Sequence, residues 1–126
     1  MATRLVIDHI VISVSDLTKS TKFYSAFLGK PKQGKEDVHF VLGSTKLFLT
    51  SPYKQSAKKF DKHNIGLNHI ALQMKSLPML RSYVQKLDKA RIAHSSIQID
   101  TFSLKQFVHF DDPDGMRLEL YIRKLI

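Results

Sequence analysis

Apolar residues along the first half of the chain follow the two periods that distinguish strands from helices. Residues 4–14 are rich in β-branched side chains, which predicts a strand. From Leu17 the apolar positions shift to helical spacing, and Asp16 is a suitable N-cap. Gly29, followed by Pro31, predicts the end of that helix. Three short strands are predicted next, the last two joined by a turn at 43–45: about 31–34, 36–42 and 46–50.

The second half of the chain repeats this pattern. Asp8–Val14 aligns with Asn68–Met74, and Val38–Phe40 recurs as Val108–Phe110. A helix is predicted after Ser76, with a proline in its first turn. Three further strands and a tight turn follow: about 92–99, 104–111 and 116–122, with the turn at 112–115. The order βαβββ therefore occurs twice.

This order predicts an α+β fold of two βαβββ modules related by a pseudo-twofold, with mixed sheets. Module one covers about 1–52, a polar linker about 53–66, and module two about 67–126. For a chain of 126 residues we expect one domain, with a hydrophobic core large enough to be stable without disulfides or a structural metal.

Composition narrows the chemistry of any site. The chain has no cysteine, so disulfides, thiolate metal ligands and cysteine nucleophiles are excluded. The net charge is +9, from 20 Lys and Arg against 11 Asp and Glu. Its densest run, Lys54 to Lys62, is typical of a solvated face, so we expect no nucleic-acid partner. We find no signal-peptide stretch or long apolar run, and expect a cytoplasmic protein without membrane contact.

Three side chains at repeat-related positions have the chemistry of a metal site. His9 and His69 begin the first strand of each module, on the face opposite the apolar one, and Glu119 lies on the polar face of the last strand. Each alone is typical of a hydrogen-bonded or solvent-facing residue. Together they form a two-histidine, one-carboxylate set that leaves part of a divalent ion open to substrate. The repeat places Phe48, which cannot bind metal, where module two has Glu119.

The chain resembles members of the vicinal oxygen chelate superfamily, which includes glyoxalase I, fosfomycin-resistance proteins, extradiol dioxygenases and bleomycin-binding proteins. The resemblance rests on four segments: Asp8–Val14, Phe23–Gly29, Asn68–Leu72 and Phe110–Leu120. It implies a glyoxalase-like pair of modules that form an open metal-binding cup. The ligands would be His9, His69 and Glu119, and the cofactor a divalent Mn, Fe, Ni, Zn or Mg ion.

Within that superfamily, the fosfomycin-resistance group is most similar in size and ligand set. Glyoxalase I uses a fourth protein ligand at the position of Phe48, and the bleomycin-binding proteins hold a cationic drug without the metal ligands. The resemblance therefore implies an enzyme whose metal acts as Lewis acid on a small anionic, oxygen-bearing substrate. Two alternatives stay open: a small Fe(II) extradiol-type dioxygenase and a non-catalytic small-molecule binding protein.

The remaining polar residues of the cup faces are candidates for catalysis and substrate binding. His39 and His109 face away from the apolar residues of their strands and are candidates for moving a proton. Lys46, Arg117 and Tyr121 are candidates for binding the anionic substrate. Exposed edges of each half-sheet favour a homodimer.

Overall fold

A computed structural model describes residues 4–52, 54 and 56–123 of the chain. The chain divides into two compact units, residues 1–58 and 59–126. The first unit contains β1 His9–Ser13, α1 Leu17–Leu28, β2 Lys32–Gln33, β3 Asp37–Leu42 and β4 Thr45–Thr50. The second unit contains β5 His69–Met74, α2 Leu77–Lys89, β6 Gln98–Ile99, β7 Gln106–Asp111 and β8 Arg117–Ile122.

Each unit forms one four-stranded mixed sheet with the same topology. The strand orders are β1-β4-β3-β2 and β5-β8-β7-β6. The first strand of each unit pairs in parallel with the last, and the remaining pairs are antiparallel. Both sheets are open, so the predicted α+β fold with mixed sheets and a repeated βαβββ order is confirmed.

Both helices begin at the predicted caps. The Asp16 carboxylate accepts a hydrogen bond from the Lys19 N–H at 3.0 Å, and the Ser76 hydroxyl accepts one from the Met79 N–H at 3.2 Å. These bonds satisfy backbone donors that the first turn of a helix leaves free. In the part of the chain that the structure describes, neither helix is long and apolar enough to cross a membrane.

Apolar and polar residues alternate along the strands, and the apolar ones form a separate core in each unit. In the first unit, Leu49 is fully buried under α1, whose Tyr24 and Phe27 are also buried. In the second unit, Leu120 is fully buried and lies on the face covered by α2. The opposite face of each sheet carries the polar residues, as the period of two requires.

Several strands are shorter than the sequence predicts. β1 starts at His9 rather than Arg4, because its partner β4 starts at Thr45 and the register begins with His9 opposite Lys46. The apolar residues before it, such as Leu5, consequently stay exposed. β6 is limited to two residues rather than covering 92–99. Arg91 takes a positive φ of 58° just after α2, and the Ser95 N–H then donates to the His109 carbonyl of β7 at 2.9 Å before β6 begins.

Candidate metal and substrate site

The polar face of the second sheet gathers most of the candidate residues. Glu119 on β8 lies between two neighbours in the register, Ala71 of β5 and His109 of β7. His69 starts β5, one step along the same face from Ala71. The small Ala71 side chain leaves space beside Glu119, and the His69 ring reaches towards it.

His69 and Glu119 lie close enough to act on one ion. Nε2 of His69 is 3.5 Å from Oε1 of Glu119. Nδ1 of His69 is 2.7 Å from Oδ1 of Asn68, whose amide group is oriented by the bond its Nδ2 donates to the Lys62 carbonyl at 3.3 Å. Asn68 Oδ1 can only accept, so Nδ1 of His69 is the donor in this contact and the Nε2 atom faces the carboxylate.

His9 has the same local arrangement in the first unit. Its Nδ1 is 2.7 Å from Oδ2 of Asp8, the residue that precedes it. In both units, therefore, the residue before the histidine holds Nδ1 and leaves Nε2 available as a metal ligand. Outer partners of this kind are a usual feature of metal-binding histidines, because they fix the orientation and tautomer of the ring.

The donor chemistry fits a divalent ion. Nε2 of His69 and a carboxylate oxygen of Glu119 are both atoms that bind divalent metals, and they face each other across 3.5 Å. Two ligands at about 2.1 Å from one tetrahedral ion are roughly 3.4 Å apart, which matches the observed separation. Neither unit by itself brings three His, Asp or Glu side chains together for a metal within residues 4–52, 54 and 56–123. The three-ligand set, with His9 from the first unit, stays a prediction.

Phe48 gives the corresponding face of the first sheet a different character. It pairs with Val11 on one side and His39 on the other, as Glu119 pairs with Ala71 and His109. Its ring lies 4.8 Å from the His39 ring and 5.8 Å from the His9 ring, both between centroids. In this unit, the aromatic side chain takes the place of a carboxylate and packs between two imidazoles.

His109 has a more polar setting than His39. Burial lowers its pKa, and the positive charges of Arg117 and Lys62 lower it further, against the raising effect of Glu119 and Asp111. The imidazole is therefore held in its neutral form, beside the Glu119 carboxylate. A neutral imidazole can accept a proton.

Two of the three predicted substrate-binding residues, Arg117 and Lys46, lie on strands of their own units. Nε of Arg117 donates to Oδ1 of Asp111 at 2.9 Å, and the Arg117 side chain is only 21% exposed. Lys46 lies opposite His9 at the exposed start of β4 in the first unit. Their roles in binding an anion stay predictions.

The third, Tyr121, lines a cavity of about 460 Å³ in the second unit. The cavity is also lined by His69 and Glu119, so it includes the two proposed ligands of this unit. The Tyr121 hydroxyl donates to Oδ2 of Asp100 at 2.8 Å and contacts the hydroxyl of Ser103. The Phe102 N–H and, after it, the Tyr121 hydroxyl hold the pKa of Asp100 below its usual range.

Sequence reasoning did not single out several residues of this site. Asp8 and Asn68 were aligned by the repeat, and their oxygen-bearing side chains directly before each histidine were the available signal. Asp100 and Arg123 also line the cavity. Asp100 reaches it through the β6–β7 loop, and Arg123 follows the last strand, so neither had a repeat partner to mark it.

Comparisons with known proteins show the family of the chain. Residues 6–120 match the family model described as Glyoxalase/Bleomycin resistance protein/Dioxygenase superfamily. The chain belongs to this superfamily. The uncharacterized protein YwkD of Bacillus subtilis (strain 168) is 32% identical over 124 residues, covering 91% of this chain and 94% of YwkD. The uncharacterized protein YaeR of Escherichia coli (strain K12) is 30% identical over 125 residues, with the same two coverages, 91% and 94%.

Solved structures of the superfamily share the fold at lower identity. A lactoylglutathione lyase from Agrobacterium tumefaciens has a TM-score of 0.73 and 17% identity, with 96% of each chain covered. The fosfomycin resistance protein FosX from Listeria monocytogenes has a TM-score of 0.65 and 16% identity, covering 99% of this chain and 97% of FosX. A glyoxylase/bleomycin resistance protein/dioxygenase domain from Frankia sp. EAN1pec has a TM-score of 0.79 and 24% identity, with coverages of 97% and 94%. At these identities the likeness shows the fold of the superfamily and leaves the reaction open.

Proposed function

We propose that the protein is a metal-dependent enzyme of the glyoxalase and fosfomycin-resistance type that acts on a small anionic, oxygen-bearing substrate. The observation that carries this proposal is the His69–Glu119 pair, in which an imidazole nitrogen and a carboxylate oxygen face each other at 3.5 Å inside a substrate-sized cavity. His9 is the proposed third donor, from the first unit of the same chain or of a second copy. A homodimer and a cytoplasmic location complete the proposal.

The chain's own residues have distinct parts in this function. A bound divalent ion supplies Lewis-acid polarisation of a substrate oxygen. Asn68 and Asp8 hold the Nδ1 atoms of His69 and His9, which would leave each Nε2 free to bind a divalent ion. His109, the cross-strand neighbour of Glu119, is the proposed acceptor of a proton from the reacting part of the substrate.

The donor set also favours a second candidate function. Two histidines and one carboxylate with open positions are the ligands of non-haem Fe(II) oxygenases. A small extradiol-type dioxygenase is therefore the alternative within enzymology. Oxygen uptake with catechols by the Fe(II)-loaded protein separates the two, since the first proposal involves no consumption of O₂.

Metal titration of the chelator-treated protein tests the proposal directly. We expect the wild type to bind about one Mn²⁺, Ni²⁺ or Zn²⁺ ion per chain, followed by calorimetry and elemental analysis. His69→Ala and Glu119→Gln each remove one donor and should weaken binding by about a hundredfold or more. His63→Ala and Glu36→Gln are the matched controls, because His63 is exposed and bonded to Asp61 and Glu36 lies outside the site.

Three outcomes would contradict parts of the proposal. A wild type that binds no divalent ion overturns the enzyme function and leaves the non-catalytic binding protein. An unchanged affinity in His9→Ala overturns the three-ligand set. A single-chain mass in light scattering at the concentration of the titration overturns the homodimer.

A further inference from the structure

The cavity of the second unit has two ends with different chemistry. One end carries His69 and Glu119, which we propose as metal ligands. The other end carries Tyr121, Asp100 and Arg123. Glu119 and Tyr121 are two residues apart on one face of β8, so the ends are separated by about 7 Å. That distance suits a small molecule with one functional group at each end.

Three contacts position Arg123 although it is exposed. Its backbone N–H donates to the Met74 carbonyl at 3.0 Å, which extends the β5–β8 ladder by one bond. Its own carbonyl accepts a bond of 2.7 Å from Nε2 of Gln73. Its guanidinium lies over the Tyr121 ring, 5.3 Å from the centroid. A long side chain restrained at its backbone and at its head loses less conformational entropy when it binds a ligand.

The guanidinium of Arg123 is also a charged hydrogen-bond donor that is available to a ligand at this end of the cavity. The Tyr121 hydroxyl donates its single proton to Asp100, so it has none left for a ligand. Arg117 already donates to Asp111 on the same sheet. Within the described residues, no carboxylate forms an ion pair with Arg123. Its planar set of N–H donors matches a carboxylate, phosphonate or phosphate group.

We propose that Arg123 binds the anionic group of the substrate, so that the cavity accepts small acids with an oxygen-bearing end near Glu119 and a separate anionic end near Tyr121. The inference deepens the proposed function, since it assigns one end of the same cavity. Gln73 helps to position Arg123, because its side-chain amide donates to the Arg123 carbonyl. The negative charge of the substrate is thereby recognised by Arg123 and not by the net positive charge of the whole chain.

Succinate, succinamate and β-alanine are suitable probes, because they are similar in length and differ in the charge at one end. Their affinities would be measured from shifts of backbone amide signals in ¹H–¹⁵N NMR spectra of the Zn²⁺-loaded protein, because the Arg123 side-chain signal is absent from the Arg123 variants. We expect the wild type to bind succinate about tenfold more tightly than succinamate, the size of one charge-assisted hydrogen bond at a partly exposed site. Arg123→Gln should abolish that difference, and Arg123→Lys should keep part of it. Arg81→Gln removes the same charge from an exposed position of α2 and should keep all of it.

The outcomes separate this inference from the proposed function. Equal binding of succinate and succinamate by the Zn²⁺-loaded wild type, or an unchanged preference in Arg123→Gln, overturns the role of Arg123 while the metal site stands. Tighter binding of β-alanine than of succinate also overturns it, because Asp100 would then set the preference. If the protein binds no Zn²⁺, weaker binding of succinate by Arg123→Gln than by the wild type and by Arg81→Gln supports the anion site and overturns the metal site alone.

Discussion

The two units share a topology and differ at one central position. Both sheets have the same strand order, and both place a histidine at the start of the first strand with its Nδ1 held by the preceding residue. In the second unit the middle of the face holds Glu119, whereas in the first it holds Phe48. Burial in the interior is equivalent, with Leu49 and Leu120 both fully buried.

This difference teaches that the fold depends on one face of each sheet and the chemistry on the other. The apolar faces have to keep their volume, because they form the two cores. The polar faces carry no such constraint, so one can contain a carboxylate and the other an aromatic ring. Experiments that treat the two units as matched partners can show how far they are equivalent.

Truncation of the matched core leucines should have the largest effect. Leu49→Ala and Leu120→Ala each leave a cavity in a fully buried site, and we expect each to lower the free energy of unfolding by about 3 kcal/mol. Urea unfolding followed by circular dichroism measures both values. Leu5→Ala, at a side chain that is 98% exposed, is the control and should change little. A loss below about 1 kcal/mol for either leucine would show that its unit is not packed as described.

Loss of the residue that orients each histidine should have the next largest effect. Asn68→Ala frees Nδ1 of His69 and should weaken metal binding by about 10- to 100-fold, as measured by calorimetry. Asp8→Ala should act similarly on His9 if both histidines bind the ion.

Two further variants sharpen that comparison. Asn68→Asp keeps an acceptor for Nδ1, as the first unit does with Asp8, and should preserve the metal affinity. Asn64→Ala, at an exposed asparagine of the same segment, should have no effect. A loss in Asn68→Asp as large as in Asn68→Ala would contradict the orienting role.

Removal of the matched helix caps should have a smaller effect. Asp16→Ala and Ser76→Ala each free one N–H in the first turn of α1 or α2, and we expect each to destabilise the protein by about 1 kcal/mol. Thermal unfolding measures the change. Asp16→Ser and Ser76→Asp keep a capping oxygen and should therefore retain most of the wild-type stability. If these cap exchanges fail to do so, the side-chain oxygens are not what stabilises the two helices.

The smallest expected effect is a pH dependence specific to the second unit. His94 donates from Nδ1 to the Ser95 carbonyl and from Nε2 to Asp88 of α2, both at 2.6 Å, when it is protonated. The Ser95 carbonyl raises the pKa of His94 most, Asp88 adds to this, and burial opposes both. Because the folded pKa is raised, the stabilisation is complete below the unfolded pKa of about 6.5 and disappears as pH rises through the folded pKa.

His94→Gln removes the titration and tests this expectation. The variant should be less stable than the wild type by about 0.5 kcal/mol at pH 5, and the difference should shrink above neutral pH. Unfolding measured across pH 5 to 8 gives both curves, with His63→Gln as the exposed control. A difference that grows with pH would contradict the sign of the shift.

The sequence was sufficient to predict the repeat, the strand faces and the helix caps, because these depend on local periodicity and on cap chemistry. It overestimated strand length at residues 5–7, which have apolar side chains but no partner strand in the described part of the chain, since pairing depends on where the partner strand begins. The histidines and Glu119 could be proposed from repeat-related positions. Arg123 could not, because its contact with Tyr121 depends on where the chain continues after β8.

The hydrogen bond between Tyr121 and Asp100 has a consequence for how such a protein can diversify. Asp100 belongs to the β6–β7 loop, which contributes no metal ligand in our proposal, yet it helps to set one end of the cavity. Changes in this loop can therefore alter ligand choice while β5 and β8 stay intact. A duplicated scaffold of this kind can acquire new substrates by exchanging a short surface loop, at little risk to either core.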